Sequence, residues 1–261
     1  MAARLQERVA LVTGASRGIG LAISRRLAME GASLVMADIN GEELAPAAKQ
    51  LAEETDRRVL PVVADVTDED TIEQMVREAV DAFGQIDILV NNAGIIQVKP
   101  WHLTTREEWE RIFDVNLTGT FLVTRAVVPL MKEQGYGRIV NLASGAARGP
   151  APNSAAYGAA KEGVIHFTRS IAVDLGPSNI TVNAVSPGVV SSTKLWDEIG
   201  KGYAEHLGFD KEKRIAGLIA GLPLRRPQTP EDVAAAVAFL VSADGQEITG
   251  VILDVDGGDA L

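Results

Sequence analysis

The stretch "RVALVTGASRGIGLAISRRLAMEG" occupies residues 8–31. Its first half is a short apolar, β-branched run that stops at a glycine, the pattern of a strand buried on both faces. Its second half carries apolar residues at helical spacing and ends at Gly31, a residue suited to closing a helix. Between the halves, Gly14, Gly18 and Gly20 follow a G-x-x-x-G-x-G spacing. A strand that turns sharply into a helix leaves the free N–H groups of the helix start pointing at one place, where a pyrophosphate can be held. Gly14 permits the turn, Gly18 lets backbone approach the phosphates, and Gly20 lets the helix pack closely. Ser16, Arg17 and Ile19 belong to the same candidate loop.

Outward from this unit the alternation repeats. Strands are predicted at 33–38, 59–66, 86–94, 138–144, 180–188 and 250–258. Helices are predicted at 41–55, 68–84, within 105–135, at 157–176, across 193–220 and at 230–242. Continuous apolar strands alternating with helices indicate an α/β fold: one doubly wound, Rossmann-type domain spanning 1–261, with a seven-stranded parallel sheet covered on both faces. Ligands of such sheets lie beyond the carboxyl ends of the strands, so the residues that follow each strand are the candidates.

Composition narrows the chemistry. The 261 residues are 46% hydrophobic and 23% charged, which supplies a substantial core. No cysteine is present, so disulfides, thiolate metal sites and cysteine nucleophiles are excluded. The formal charge of −10 opposes a nucleic-acid partner. His102, His166 and His206 lack ligand spacing, and no metal is expected. No apolar run is long enough to span a membrane, and the N-terminus lacks a signal-peptide layout, so a cytoplasmic location is expected.

The second predicted strand ends in Asp38, followed by Ile39. A carboxylate there can accept hydrogen bonds from both ribose hydroxyls and repels a 2′-phosphate, which favours NAD over NADP. Arg17 is the counter-signal, because a basic residue in the glycine loop could meet that phosphate. Asp65 and Val66 follow strand three, near where an adenine would lie. Asn92, Ala93 and Gly94 follow strand four, where backbone can pass close to the adenine ribose.

Tyr157 and Lys161 stand one helical turn apart with Gly158, Ala159 and Ala160 between them. By itself the pair reads equally as an ordinary amphipathic helix with a half-buried tyrosine and a solvated lysine. Ser144, thirteen residues earlier, ends strand five on the ligand side. The ordered set "TGASRGIG", "NNAG", Asn116 in "FDVNLTG", Ser144, "YGAAK" and "SPG" resembles the short-chain dehydrogenases/reductases over nearly the whole chain.

That resemblance implies nicotinamide-dependent oxidation of an alcohol or reduction of a ketone. It implies Tyr157 as general acid/base and Ser144 as the group that holds the substrate oxygen. Lys161 would lower the phenol pKa and bond the nicotinamide ribose, so Tyr157 and Lys161 also count as cofactor contacts. Asn116 would support a water that relays protons from Lys161; its plainer reading is a mid-helix asparagine bonding a backbone carbonyl. Pro187, Gly188 and Val190 would meet the nicotinamide carboxamide, with Ser192 supplying a hydroxyl where the family usually has threonine. A homotetramer is the family's usual state.

Residues 189–228 form the expected substrate lid, with Trp196, Tyr203 and Phe209 either lining a pocket or anchoring helices. The lid looks most like that of NAD-dependent polyol and vicinal-diol dehydrogenases. Reduction of a 3-oxoacyl group, oxidation of a hydroxysteroid, and a catalytically idle NAD-binding regulator stand as alternatives.

Overall fold

The computed structural model describes residues 4–208 and 210–259. Among these, seven strands and nine α-helices alternate. The strands are β1 (Val9–Thr13), β2 (Ser33–Asp38), β3 (Val59–Val63), β4 (Ile88–Asn91), β5 (Gly137–Leu142), β6 (Ile180–Pro187) and β7 (Ile252–Val255). They form one sheet in the order β3-β2-β1-β4-β5-β6-β7, and all pairs are parallel. Pro61 lies in β3, at the edge of the sheet, where a missing N–H is tolerated.

Successive side chains of each strand face opposite ways, and two cores follow from this. Ala10 and Val12 of β1 join a core with α1 (Gly18–Met29), α2 (Gly41–Thr55) and α9 (Pro230–Val241). Val9 and Leu11 join another with α3 (Glu69–Phe83), α5 (Gly119–Gln134) and α6 (Ala155–Leu175). The inner strands β1, β4, β5 and β6 are buried on both faces, which is why their sequences read as largely apolar runs.

Most predicted elements hold, with small shifts at their ends. α6 starts at Ala155, so Tyr157 lies inside its first turn. β5 ends at Leu142, two residues short of Ser144. The predicted strand at 59–66 ends at Val63, because Asp65 and Asp68 turn the chain into α3. Within 105–135, α4 (Arg106–Phe113) and α5 are joined by a π-helical turn over Asp114–Thr118. The 193–220 stretch divides into α7 (Lys194–Leu207) and α8 (Lys211–Gly221).

The strand order reverses between β1 and β4. Chains leaving those two strands diverge, and the crevice they open is the binding position expected for this topology. Among the described residues, no helix is long and apolar enough to cross a membrane.

Candidate active site

The glycine loop begins at Gly14, whose φ of +64° lies in the left-handed region where a side chain is disfavoured. A Cβ on Gly20 would overlap the Gly14 carbonyl and lie 2.6 Å from Asn92 Nδ2. Gly20 therefore packs the start of α1 against the loop's own first residue. Asn92 fixes the same loop from β4: its Nδ2 donates to the carbonyls of Thr13 and Gly14, both at 2.9 Å. The N–H groups of Asn92 and Ala93 donate to Thr13 Oγ1, each at 3.1 Å. The Asn92 side chain is thus a brace of the glycine loop. Ile19 turns its side chain toward the core.

Asp38 closes β2 beside this loop. Its Oδ2 accepts the Ser16 N–H and its Oδ1 the Asn40 N–H, both at 3.0 Å. These bonds aim the carboxylate and leave further acceptor positions on both oxygens. Ile39 is 67% exposed beside it. Asp65 accepts both the N–H and the hydroxyl of Thr67 on Oδ1, at 2.9 and 2.8 Å. Val66 packs on the start of α5, where a Cβ on Gly119 would meet its Cγ2 at 2.8 Å.

Tyr157 and Lys161 are 7% and 4% exposed. That removes the reading of a half-buried tyrosine beside a solvated lysine. Ser144 caps a short 3₁₀ turn over Gly145–Ala147, its Oγ accepting the Ala146 N–H at 3.2 Å. The same hydroxyl acts on the Tyr157 phenol and favours its ionised form. Burial pushes the Tyr157 phenol above its ordinary value, and Ser144 offsets only part of this. Burial pushes the Lys161 ammonium down to about 8.

Here the structure corrects one expectation. Lys161 Nζ donates to the Leu142 carbonyl at 2.6 Å and sits 5.9 Å from the centre of the Tyr157 ring. In this state the phenol is raised, because desolvation outweighs the neighbouring groups.

Asn116 lies in the π-helical turn and is fully buried. The extra residue of that turn points its side chain inward. Its Nδ2 donates to the carbonyls of Ile112 at 2.8 Å and Ile95 at 2.9 Å. Its Oδ1 has no hydrogen-bond partner. A Cβ on Gly94 would lie 2.8 Å from that oxygen and 3.5 Å from Lys161 Nζ. The orphaned acceptor and the ammonium therefore border one small space that Gly94 keeps open. A buried unpaired acceptor of this kind commonly marks a water position.

At the end of β6, the Pro187 carbonyl lies 3.5 Å from where a Cβ on Gly145 would sit. The Gly188 N–H donates to Val255 at 3.1 Å. Val190 is buried in the core, and its carbonyl accepts the Thr193 hydroxyl at 3.1 Å. Ser192 is exposed, whereas Thr193 reaches the glycine loop, 3.6 Å from a Cβ placed on Gly18. Sequence reasoning missed Thr193, because the hydroxyl one residue earlier matched the family spacing.

In the lid, Arg214 of α8 stacks over Tyr203 of α7, 5.4 Å from its ring centre, so Tyr203 anchors helix to helix. Trp196 is half-buried, and Phe209 lies outside the described residues.

Comparison with known proteins agrees with this geometry. A family model described as enoyl-(acyl carrier protein) reductase matches residues 14–259. The chain is 38% identical over 255 residues to 3-oxoacyl-[acyl-carrier-protein] reductase FabG of Thermotoga maritima, covering 98% of each. The chain belongs to the short-chain dehydrogenase/reductase family. Within that family it is 37% identical over 264 residues to galactitol 2-dehydrogenase of Agrobacterium fabrum, again covering 98% of each. The solved structure of NAD+-bound xylitol dehydrogenase superimposes with a TM-score of 0.92 at 36% identity, covering 98% of this chain and 100% of that one. As a short-chain dehydrogenase/reductase the protein is an oxidoreductase, and its carboxyl-edge cluster is the candidate active site.

Proposed function

We propose that the protein transfers a hydride between NAD and a secondary alcohol or ketone, with a polyol or vicinal diol/hydroxyketone as its substrate class. The carrying observation is the meeting of Ser144, Tyr157 and Lys161, two of them buried, at the carboxyl edge of the sheet beside the glycine loop. The residues present fit a dinucleotide. The left-handed Gly14, the close approach at Gly20 and the start of α1 form a phosphate cradle. Asp38 is aimed by two backbone N–H groups and faces a ribose diol in this reading. Bound NAD supplies the two-electron acceptor or donor.

The remaining chemistry falls to the chain. Tyr157 takes the proton of the substrate hydroxyl during oxidation and returns it during reduction. Ser144 donates to the substrate oxygen and holds it against the phenol. Lys161 exchanges its carbonyl partner for the nicotinamide ribose, and Asn116 Oδ1 holds the water through which protons reach solvent. Galactitol 2-dehydrogenase and xylitol dehydrogenase support a polyol substrate. The 3-oxoacyl reductase relative supports the second reading, reduction of an acyl-carrier-bound ketone.

Turnover decides between the readings: NAD with galactitol, xylitol and butane-2,3-diol against reduction of a 3-oxoacyl thioester. We also propose a single catalytic domain that carries its own lid and assembles as a homotetramer in the cytoplasm.

A further inference from the structure

Arg17 is already partnered. Its Nη1 lies 3.0 Å from Glu43 Oε2, and the other oxygen of that carboxylate lies 2.6 Å from Lys194 Nζ. Lys194 and then Arg17 hold the Glu43 carboxyl below its ordinary value. Glu43 sits in the first turn of α2, where its N–H donates to the Asn40 cap at 3.2 Å. One residue before Arg17, the Ser16 N–H grips Asp38. The Arg17 side chain therefore bridges the gap between the glycine loop and the turn that follows Asp38.

An arginine in that gap would ordinarily recruit a 2′-phosphate, because a guanidinium binds phosphate through paired, charge-assisted hydrogen bonds. Here a 2′-phosphate would have to displace a carboxylate to reach it. It would also meet two negative groups, Asp38 and Glu43. The ion pair is exposed, with side chains 52% and 33% accessible, so it contributes little to folding. Its consequence is the orientation of Arg17.

We propose that Glu43 is a specificity-determining residue that holds Arg17 away from the ribose and sharpens the preference for NAD over NADP. Lys194, at the start of the lid, fixes the second oxygen of Glu43 and so orients the clamp. This inference rests on the NAD reading above. It predicts that removing Asp38 alone leaves Arg17 engaged by Glu43.

The test is calorimetric titration with adenosine 5′-diphosphate and adenosine 2′,5′-bisphosphate. The proteins are wild type, Asp38→Ser, Asp38→Ser with Glu43→Gln, and that pair with Arg17→Ala. Glu43→Gln keeps the size of the side chain and removes its charge. On the Asp38→Ser background it should tighten the bisphosphate by about tenfold, a single freed charge-assisted contact. Adding Arg17→Ala should cancel that gain, and the kcat/KM ratio for NADP over NAD should move in parallel. An unmoved bisphosphate affinity, or a gain that survives Arg17→Ala, overturns the clamp and leaves the NAD reading standing. A wild-type chain that prefers NADP overturns both.

Discussion

Burial raises the Tyr157 phenol, and Ser144 is the group that opposes this rise. Oxidation of an alcohol needs the phenolate, so kcat/KM for oxidation should increase with pH, while reduction should fall. Ser144→Ala removes the opposing group, and the limb of the oxidation profile should move to higher pH. Tyr157→Phe removes the proton acceptor and leaves the cofactor contacts in place. Its turnover should drop by more than about 10²-fold while NAD still quenches the protein's fluorescence. A smaller loss would exclude Tyr157 as the acid/base. Lys161 gives a signature in stability. Its value of about 8 in the folded chain lies below that of an unfolded lysine. Between those values the unfolded chain holds more protons, so stability rises with pH. Relative to Lys161→Met, wild type should gain up to on the order of 3 kcal/mol as pH rises through that window. Urea unfolding at pH 7.5 and about 10.5 measures it. A constant difference would show that Lys161 is not desolvated.

At the scale of elements, the glycine loop and the π-helical turn carry the site. Gly20→Ala places a Cβ against backbone of Gly14, which cannot move aside as a flexible side chain would. We expect a loss of about 1–3 kcal/mol from the overpacked contact, together with weakened NAD binding, because the loop and α1 can no longer close on each other. Thermal unfolding with and without NAD separates the two effects. At the turn over Asp114–Thr118, Asn116 bonds two carbonyls, those of Ile112 and Ile95. Asn116→Ala would leave both without that donor. It should cost about 1–3 kcal/mol and slow proton exchange with solvent, read as a kcat that becomes dependent on buffer concentration. Activity unchanged at every buffer concentration would exclude the relay.

Across the whole molecule, the ion pairs of the buried carboxylates Glu30 and Asp87 and the chemistry occupy opposite ends of the strands. Near the amino end of β1, buried Glu30 receives Arg4 and Arg26 at 2.8 and 2.6 Å, and buried Asp87 receives Arg8 at 2.7 Å. At the carboxyl end, Asn116 Oδ1 is left unpaired and Lys161 is held with a depressed pKa. The fold's buried ion pairs thus stay clear of the edge where groups must change partners. Large apolar side chains also stay accessible on the outer helices: Trp109 of α4, Phe121 of α5 and Val173 of α6, at 42%, 41% and 77%. Phe121 and Phe167 touch edge to face across α5 and α6. A multimer would cover such positions. Sedimentation velocity should give a tetramer for wild type and smaller species for Phe121→Asp with Val173→Asp. A monomeric wild type would remove the proposed assembly.

The sequence by itself determined the seven strands, their parallel alternation with helices, and the family, because strand burial on both faces and a glycine-bounded turn leave local patterns. It also singled out Ser144, Tyr157 and Lys161 as candidates, through their order among the motifs that resemble the family. Tertiary structure decided what those patterns could not hold. Whether Lys161 is solvated depends on what α6 packs against, and the direction of the phenol pKa depends on how deeply Tyr157 is buried. Arg17 looked like a free cation in the glycine loop. Its partner Glu43 lies 26 positions away, and Lys194 lies a further 151 positions from Glu43. No local periodicity carries such pairings; they arise because parallel crossovers return distant turns to one edge of the sheet.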